Sequence, residues 1–319
     1  MQQVTVPGTP LTVARLCLGT MFFGTTVDPA DAYAVLDAYR DAGGNFLDTA
    51  NNYAVWIEGG TGDESETLVG RWLADRGARD EVVLATKVGA RPLPGTRTLA
   101  KVEGLRARAI AEQVEGSLRR LDVDHVDVLY AHIRDRDAPQ EETLRAFDQL
   151  VRDGKVRAIA ASNYTRDDLA DAVDISRKEG LAEYRMLQQR FSYLLPDPAA
   201  DLGRQVILDE ALQVYCADQQ ILPLAYSVLL GGAYTRADRP LPPHYQAAPR
   251  AQDHIDALHT VGRDLGVSPN TVVYAWVLAA GMVPLLGISN LDQLNEALAA
   301  DTLSLPARSL ALLETVRNG

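Results

Sequence analysis

The strongest constraint on this 319-residue chain is one alternation, repeated eight times: a short apolar run, then a longer amphipathic stretch. The runs fall at residues 15–20 (RLCLGT), 45–48 (NFLD), 82–88 (VVLATKV), 126–132 (VDVLYAH), 156–161 (VRAIAA), 185–189 (RMLQQ), 221–226 (ILPLAY) and 283–288 (VPLLGI). Their apolar character is continuous rather than alternating, which predicts strands buried on both faces, as in a parallel sheet. Helical patterns lie at 29–42, 65–75, 106–121, 140–152, 166–178, 203–219, 268–280 and 291–300, with a closing helix from residue 307. The first has Asp28 as N-cap, Pro29 at its first position and Gly43-Gly44 at its end. Eight strand–helix units predict an α/β fold, a (β/α)8 TIM barrel taking residues 1–319 as a single domain.

Ahead of the first unit, VTVPGTPLTV alternates on both sides of a Pro-Gly turn. An N-terminal β-hairpin is expected there, closing the N-terminal end of the barrel. A doubly wound dinucleotide fold would need G-x-G-x-x-G after its first strand, and LCLGTMFFGTT does not supply it. The irregular stretches 89–104 and 231–249 follow the third and seventh strands, so they are expected at the C-terminal face, where barrel active sites sit.

Charge narrows the partners. Lys and Arg number 31 against 43 Asp and Glu, a formal net charge of −12, which counts against a nucleic-acid or anionic-membrane surface. Cys17 and Cys216 form no disulfide framework or C-x-x-C pair, MQQVTVPGTP has no signal-peptide pattern, and no apolar stretch reaches the ~20 residues of a membrane span. A cytoplasmic protein is expected. With five histidines and no H-x-H pair, no metal site is expected either.

Polar residues at the ends of three adjacent strands carry the chemistry: Asp48 at the second, with Tyr53 just beyond it, Lys87 near the end of the third, and His132 at the end of the fourth. A carboxylate, a phenol, an amine and an imidazole at one mouth suit proton donation to a developing alkoxide. A free tyrosine has a pKa of about 10, and a neighbouring ammonium is expected to lower it. The carboxylate would keep the lysine charged, and the imidazole would position a carbonyl oxygen.

These segments resemble the aldo-keto reductase family. GGNFLDTANNYA is similar to the family's G-x-x-x-x-D-T-A-x-x-Y, and GDESETLVGRWL to its E-x-x-x-G helix through Glu66 and Gly70. LATKVG resembles its lysine strand, and LDVDHVDVLYAHIRD its L-x-x-x-x-x-D-L-Y-x-x-H, with Asp127 and His132 in place. GKVRAIAASNYT resembles its G-K-[IV]-R-x-[IL]-G-[VL]-S-N-[FY], with Ala160 where glycine is usual.

The resemblance implies NADPH as cofactor, with NADH possible, and a small-molecule carbonyl substrate. It makes Tyr53 the general acid, tuned by Lys87 and Asp48, with His132 orienting the carbonyl. Ser162, Asn163 and Gln188 would hold the carboxamide, Gln189 being the neighbour that leaves this last choice open. Tyr226 would stack on the nicotinamide, Ser227 and Leu229 would lie by the pyrophosphate, and Gly19, Thr20 and Met21 near the nicotinamide. Gly287, Ser289, Gln293 and Glu296 fall where the family grips the 2′-phosphate, but no basic residue appears there and Ala297 replaces the usual asparagine. Arg236 is either a substitute charge or a solvated loop arginine. Phe22, Phe23 and Trp56 are expected to wall the substrate pocket. A non-catalytic, regulatory nucleotide-binding protein on the same fold is the alternative, and the oligomeric state is left open.

Overall fold

The structure, a computed structural model, describes residues 1–318. In chain order the elements are β1 (Gln3–Thr5), β2 (Thr12–Ala14), β3 (Cys17–Gly19), α1 (Pro29–Asp41), β4 (Phe46–Asp48), α2 (Glu64–Arg76), β5 (Val83–Val88), α3 (Ala107–Leu121), β6 (Val126–Ala131), α4 (Gln140–Arg152), β7 (Val156–Ser162) and α5 (Arg166–Glu179). They continue with β8 (Tyr184–Arg190), α6 (Glu210–Asp218), β9 (Leu222–Tyr226), α7 (Ala251–Leu265), α8 (Pro269–Ala279), β10 (Val283–Gly287), α9 (Leu291–Ala299) and α10 (Ala307–Asn318). Strands β3 to β10 close in sequence order into a parallel barrel, with β10 returning to pair with β3. The expected (β/α)8 barrel is thus present. Among the described residues, no helix is long and apolar enough to cross a membrane.

The hairpin expectation also holds. β1 pairs antiparallel with β2, and Val6, Leu11 and Val13 pack with Phe46, Val128, Tyr130, Met186 and Leu224 inside the barrel. A second core lies between barrel and helices, where Leu84, Leu129, Ile159 and Leu187 meet Trp72, Val114, Phe147 and Leu169. Strand residues therefore alternate between an inner and an outer core, which is why the strands read as unbroken apolar runs.

Local signals explain the element ends. Asp28 caps α1 by accepting hydrogen bonds from the Ala30 and Asp31 amides at 2.8 and 3.1 Å. Gly44 is required because a Cβ there would sit 2.5 Å from the Tyr39 ring. Several motif residues fasten the scaffold. Glu66 accepts from Thr86 Oγ1 at 2.5 Å and from Arg120 Nε at 2.6 Å. A Cβ on Gly70 would lie 2.5 Å from the Leu121 carbonyl oxygen, so glycine lets α2 pack on α3. Asp127 pairs with Arg79 and Arg157 at 3.0 and 2.8 Å and accepts from the Leu84 amide.

Two helices differ from expectation. The helix read at 203–219 begins at Glu210, with Asp209 capping it through the Leu212 amide at 2.8 Å. The residues before it are held by the end of β8: the Arg190 amide donates to Val206 O, and the Leu208 amide donates to Arg190 O. Helix α7 was not read from the sequence, although its buried His254, Ala257, Leu258 and Val261 recur at helical spacing.

Candidate active site

Alternation along the strands assembles the site. On β5, Val83 and Ala85 face the inner core, so Lys87 faces inward one step further on. The same step carries Phe46 to Asp48, Val128 and Tyr130 to His132, Ala158 and Ala160 to Ser162, Met186 to Gln188, and Leu222 and Leu224 to Tyr226. Six polar side chains from six strands thus form one layer above the apolar filling, at the C-terminal end of the barrel. Ala160, where the family pattern has glycine, lies in that filling and is fully buried.

Lys87 is the hub. It is fully buried, ion-paired with the equally buried Asp48, and donates to Tyr53 Oη and Thr49 O at 2.9 Å each. The other oxygen of Asp48 accepts from Gln188 Nε2 at 2.9 Å. Because Lys87 donates to the Tyr53 oxygen, the proton of the phenol is left to point elsewhere. The His132 ring lies edge-on to Tyr53, with centroids 6.0 Å apart at 80°, and its buried Nδ1 has no partner among the described residues.

Burial decides the electrostatics. It alone would push the Lys87 amine down, but Asp48 and Tyr53 more than offset it, so the ammonium is favoured. Burial pushes the Asp48 carboxyl up against the opposing pull of Lys87 and Gln188. The expected lowering of the Tyr53 phenol is not what the structure shows. Loss of solvent outweighs the pull of Lys87, and the phenol is raised above its ordinary value of 10.0, remaining protonated.

Burial, with Lys87 second, holds the His132 imidazole well below 6.5 and therefore neutral. In the unfolded chain it titrates near 6.5. Between those two values the unfolded state binds the extra proton, so stability falls as the pH falls. Urea denaturation at about pH 7 and about pH 5 is expected to show a larger loss for the wild type than for His132→Gln; equal losses would contradict it.

Ser162 and Asn163 lie beside this hub. Asn163 Nδ2 donates to Ser162 Oγ and His132 O at 3.0 Å each, while its Oδ1 accepts from Tyr226 Oη at 2.6 Å. Its φ of 57° is a conformation asparagine tolerates well. Strand alternation separates the two glutamines: Gln188 turns to Asp48, and Gln189 turns outward, donating to Tyr164 O at 2.7 Å.

The remaining expected residues divide. Gly19 and Met21 are half-buried where β3 ends, and Phe22 follows. Thr20 is fully buried, its hydroxyl donating to Asp48 O at 3.0 Å and lying 2.8 Å from Ser65 Oγ, so its side chain fastens the mouth instead of facing it. Phe23, expected on the substrate wall, is 1% exposed and packs into the outer core. Trp56 is 43% exposed and lies edge-on to Tyr53 at 6.3 Å. Ser227 and Leu229 are half-buried beyond β9, Ser227 with a φ of 61°. Gly287 and Ser289 are exposed, and Gln293 accepts from the Ser289 amide at 2.8 Å. Glu296 accepts from Asn270 at 3.0 Å, a buried partner the sequence reading missed although it is the second residue of α8, directly after Ser268-Pro269. Arg236 is exposed and held by Asp238 through two contacts of 2.6 and 3.0 Å. A separate groove of about 540 Å³ between the first turns of α1 and α2, lined by Pro29, Tyr33, Glu64 and Arg71, includes none of the four hub residues.

A barrel with this inward polar layer defines a class of enzyme, and comparison with known proteins agrees. The profile of the Aldo/keto reductase family matches residues 15–318, so the chain belongs to that family and is an oxidoreductase. It is 32% identical to YrpG, an uncharacterized oxidoreductase of Bacillus subtilis, over 98% of this chain and 94% of that one. It is 35% identical to 6-dehydroglucose reductase of Novosphingobium aromaticivorans (85% and 81%) and 29% identical to norsolorinic acid reductase stcV of Emericella nidulans (92% and 75%). The crystal structure of the thermostable aldo-keto reductase Tm1743 shares the fold at a TM-score of 0.78, with 23% identity over 99% of this chain and all of that one.

Proposed function

We propose that the protein reduces a small aldehyde or ketone to an alcohol, using NADPH or NADH. The observation that carries this reading is the Lys87 ammonium, fully buried, paired with Asp48 and donating to Tyr53 Oη at 2.9 Å. The bound dinucleotide supplies the hydride to the carbonyl carbon. Tyr53 gives its proton to the oxygen, and Lys87 stabilises the phenolate left behind until solvent restores the proton. Asp48 holds Lys87 in place and charged. Neutral His132 offers a hydrogen bond to the carbonyl oxygen without competing as an acid.

The polar residues present suit a nicotinamide ring. Ser162, Asn163 and Gln188 offer the hydroxyl and amide groups that a carboxamide needs, and the aromatic face of Tyr226 adjoins them through its bond to Asn163. Gly19 and Met21 would border the ring, and Ser227 and Leu229 the pyrophosphate. Phe22 and Trp56 remain as the apolar wall for substrate, with Trp56 exposed at an open mouth. Two relatives named as reductases support the direction of reaction. The intact hub argues against a purely regulatory nucleotide binder.

The test is direct. Purified protein is expected to oxidise a reduced nicotinamide dinucleotide only when an aldehyde or ketone is added. No carbonyl-dependent oxidation with either dinucleotide, across aromatic and aliphatic carbonyls, would contradict the reading.

A further inference from the structure

We propose that the adenosine end of this site prefers the unphosphorylated dinucleotide, NADH, over NADPH, and that Asp292, Glu296 and Asn270 set the preference. The inference rests on the reductase reading above, and it reverses the order that the family resemblance implies.

Barrels of this kind hold phosphate groups with the loops after their seventh and eighth strands and the N-terminus of a nearby helix. Here those strands are β9 and β10, and the helix is α9. Two backbone donors at its entry are already taken from within. Asn290 Oδ1 accepts from the Gln293 amide at 3.0 Å, and Gln293 Oε1 accepts from the Ser289 amide at 2.8 Å. An incoming anion finds only the Leu291 and Asp292 amides free of an internal acceptor among the described residues, and it would have to displace Asn290 and Gln293 to gain the other two donors.

The charges point the same way. From Gly287 to Asp301 the chain has no Lys or Arg, while Asp292 lies in the first turn of α9 and Glu296 one turn further on. In the loop after β9, Arg236 is paired with Asp238 and Arg250 with Asp253 at 2.8 Å, which leaves Arg239 as the arginine there without an ion pair among the described residues.

Asn270 supplies the positive part of the argument. It is 7% exposed, and its Nδ2 donates to Glu296 Oε2 at 3.0 Å and Thr235 Oγ1 at 3.2 Å. A carboxylate can only accept, so the amide nitrogen must face Glu296. Asn270 Oδ1 is therefore left as a buried acceptor without a partner among the described residues. The cluster asks for hydrogen-bond donors, such as the hydroxyls of a ribose 2′,3′-diol or the amino group of adenine. A 2′-phosphate brings acceptors and a charge of about −1.5 to −2 instead. It would leave Asn270 unpaired and meet a segment that carries two carboxylates and no Lys or Arg of its own.

Equilibrium titration of the purified protein with NADH and NADPH, read by quenching of its intrinsic fluorescence, tests this without turnover. NADH is expected to bind at least about tenfold more tightly, the ratio that one missing charge-assisted pair carries. Asp292→Asn, on an exposed position, is expected to narrow the ratio, and Glu296→Arg to reverse it. Thermal melts of each variant confirm that it is folded. Equal affinities, or tighter NADPH, would overturn the proposal. In the second case, loss of NADPH affinity in Arg236→Ala or Arg239→Ala would identify the cation that acts instead. If neither dinucleotide binds, the reductase reading itself fails and takes the preference with it.

Discussion

Replacing Tyr53 by phenylalanine is expected to lower carbonyl reduction by about 10²–10⁴-fold, the range general acid catalysis contributes. Dinucleotide affinity should stay within a few-fold of the wild type. The substitution removes one oxygen from a ring that is otherwise 7% exposed and packed between Trp56 and His132, so the pocket keeps its shape. What disappears is the acceptor of the Lys87 hydrogen bond, together with the phenolic proton that oxygen carries. The measurement is kcat with the best carbonyl, beside a fluorescence titration of the reduced dinucleotide. Wild-type turnover in Tyr53→Phe would remove the proposed proton donor.

Lys87→Met carries the second large effect, on both stability and rate. Losing one partner of a buried ion pair typically costs about 3–5 kcal/mol, because the remaining charge is left unpaired. Among the described residues, the Asp48 carboxylate would keep only Gln188 as a donor. Burial already pushes its carboxyl up, and without Lys87 it should rise further. A carboxyl whose folded pKa exceeds its unfolded value is least costly below the unfolded pKa and costs more as the pH rises. The deficit of Lys87→Met is therefore expected to shrink on acidification. Adding Asp48→Asn should recover much of the stability, since the buried charge is then gone, while the rate stays low. The rate loss of Tyr53→Phe combined with Lys87→Met should be no larger than that of one alone, as expected for groups acting as a unit. Urea denaturation of the single and double variants checks the first claim. Restored activity in Asp48→Asn/Lys87→Met would contradict the second.

The barrel was legible because its strands lie between two cores and are apolar on both faces, and because residues such as Asp28 and Gly44 mark the helix ends locally. The hub was legible for a related reason: Asp48, Lys87 and His132 stand at the ends of apolar strands where packing alone gives them no purpose. What stayed hidden depends on contacts remote in sequence. Residues before Glu210 look helical, but the end of β8 holds them extended. Phe22 and Phe23 are adjacent aromatics. In the turn after β3 the Phe23 amide donates to Thr20 O, and both rings reach the outer core, Phe23 buried within it and Phe22 half-buried against it. The raised phenol of Tyr53 is a balance of burial against charge, and only the burial, unreadable in the sequence, tips it upward. Arg236 has its ion-pair partner two residues away in Asp238, a contact that the sequence alone does not choose among the neighbouring charges.

The central claim is that the mouth above Lys87 joins a hydride from a dinucleotide to a proton from Tyr53. Reduction of a carbonyl with dinucleotide deuterated at the transferable C4 position, in ordinary water, tests it most directly by mass spectrometry of the alcohol. The account predicts one deuterium on the carbinol carbon from one of the two C4-labelled epimers, and none from the other. An alcohol that carries no deuterium with either epimer would contradict it.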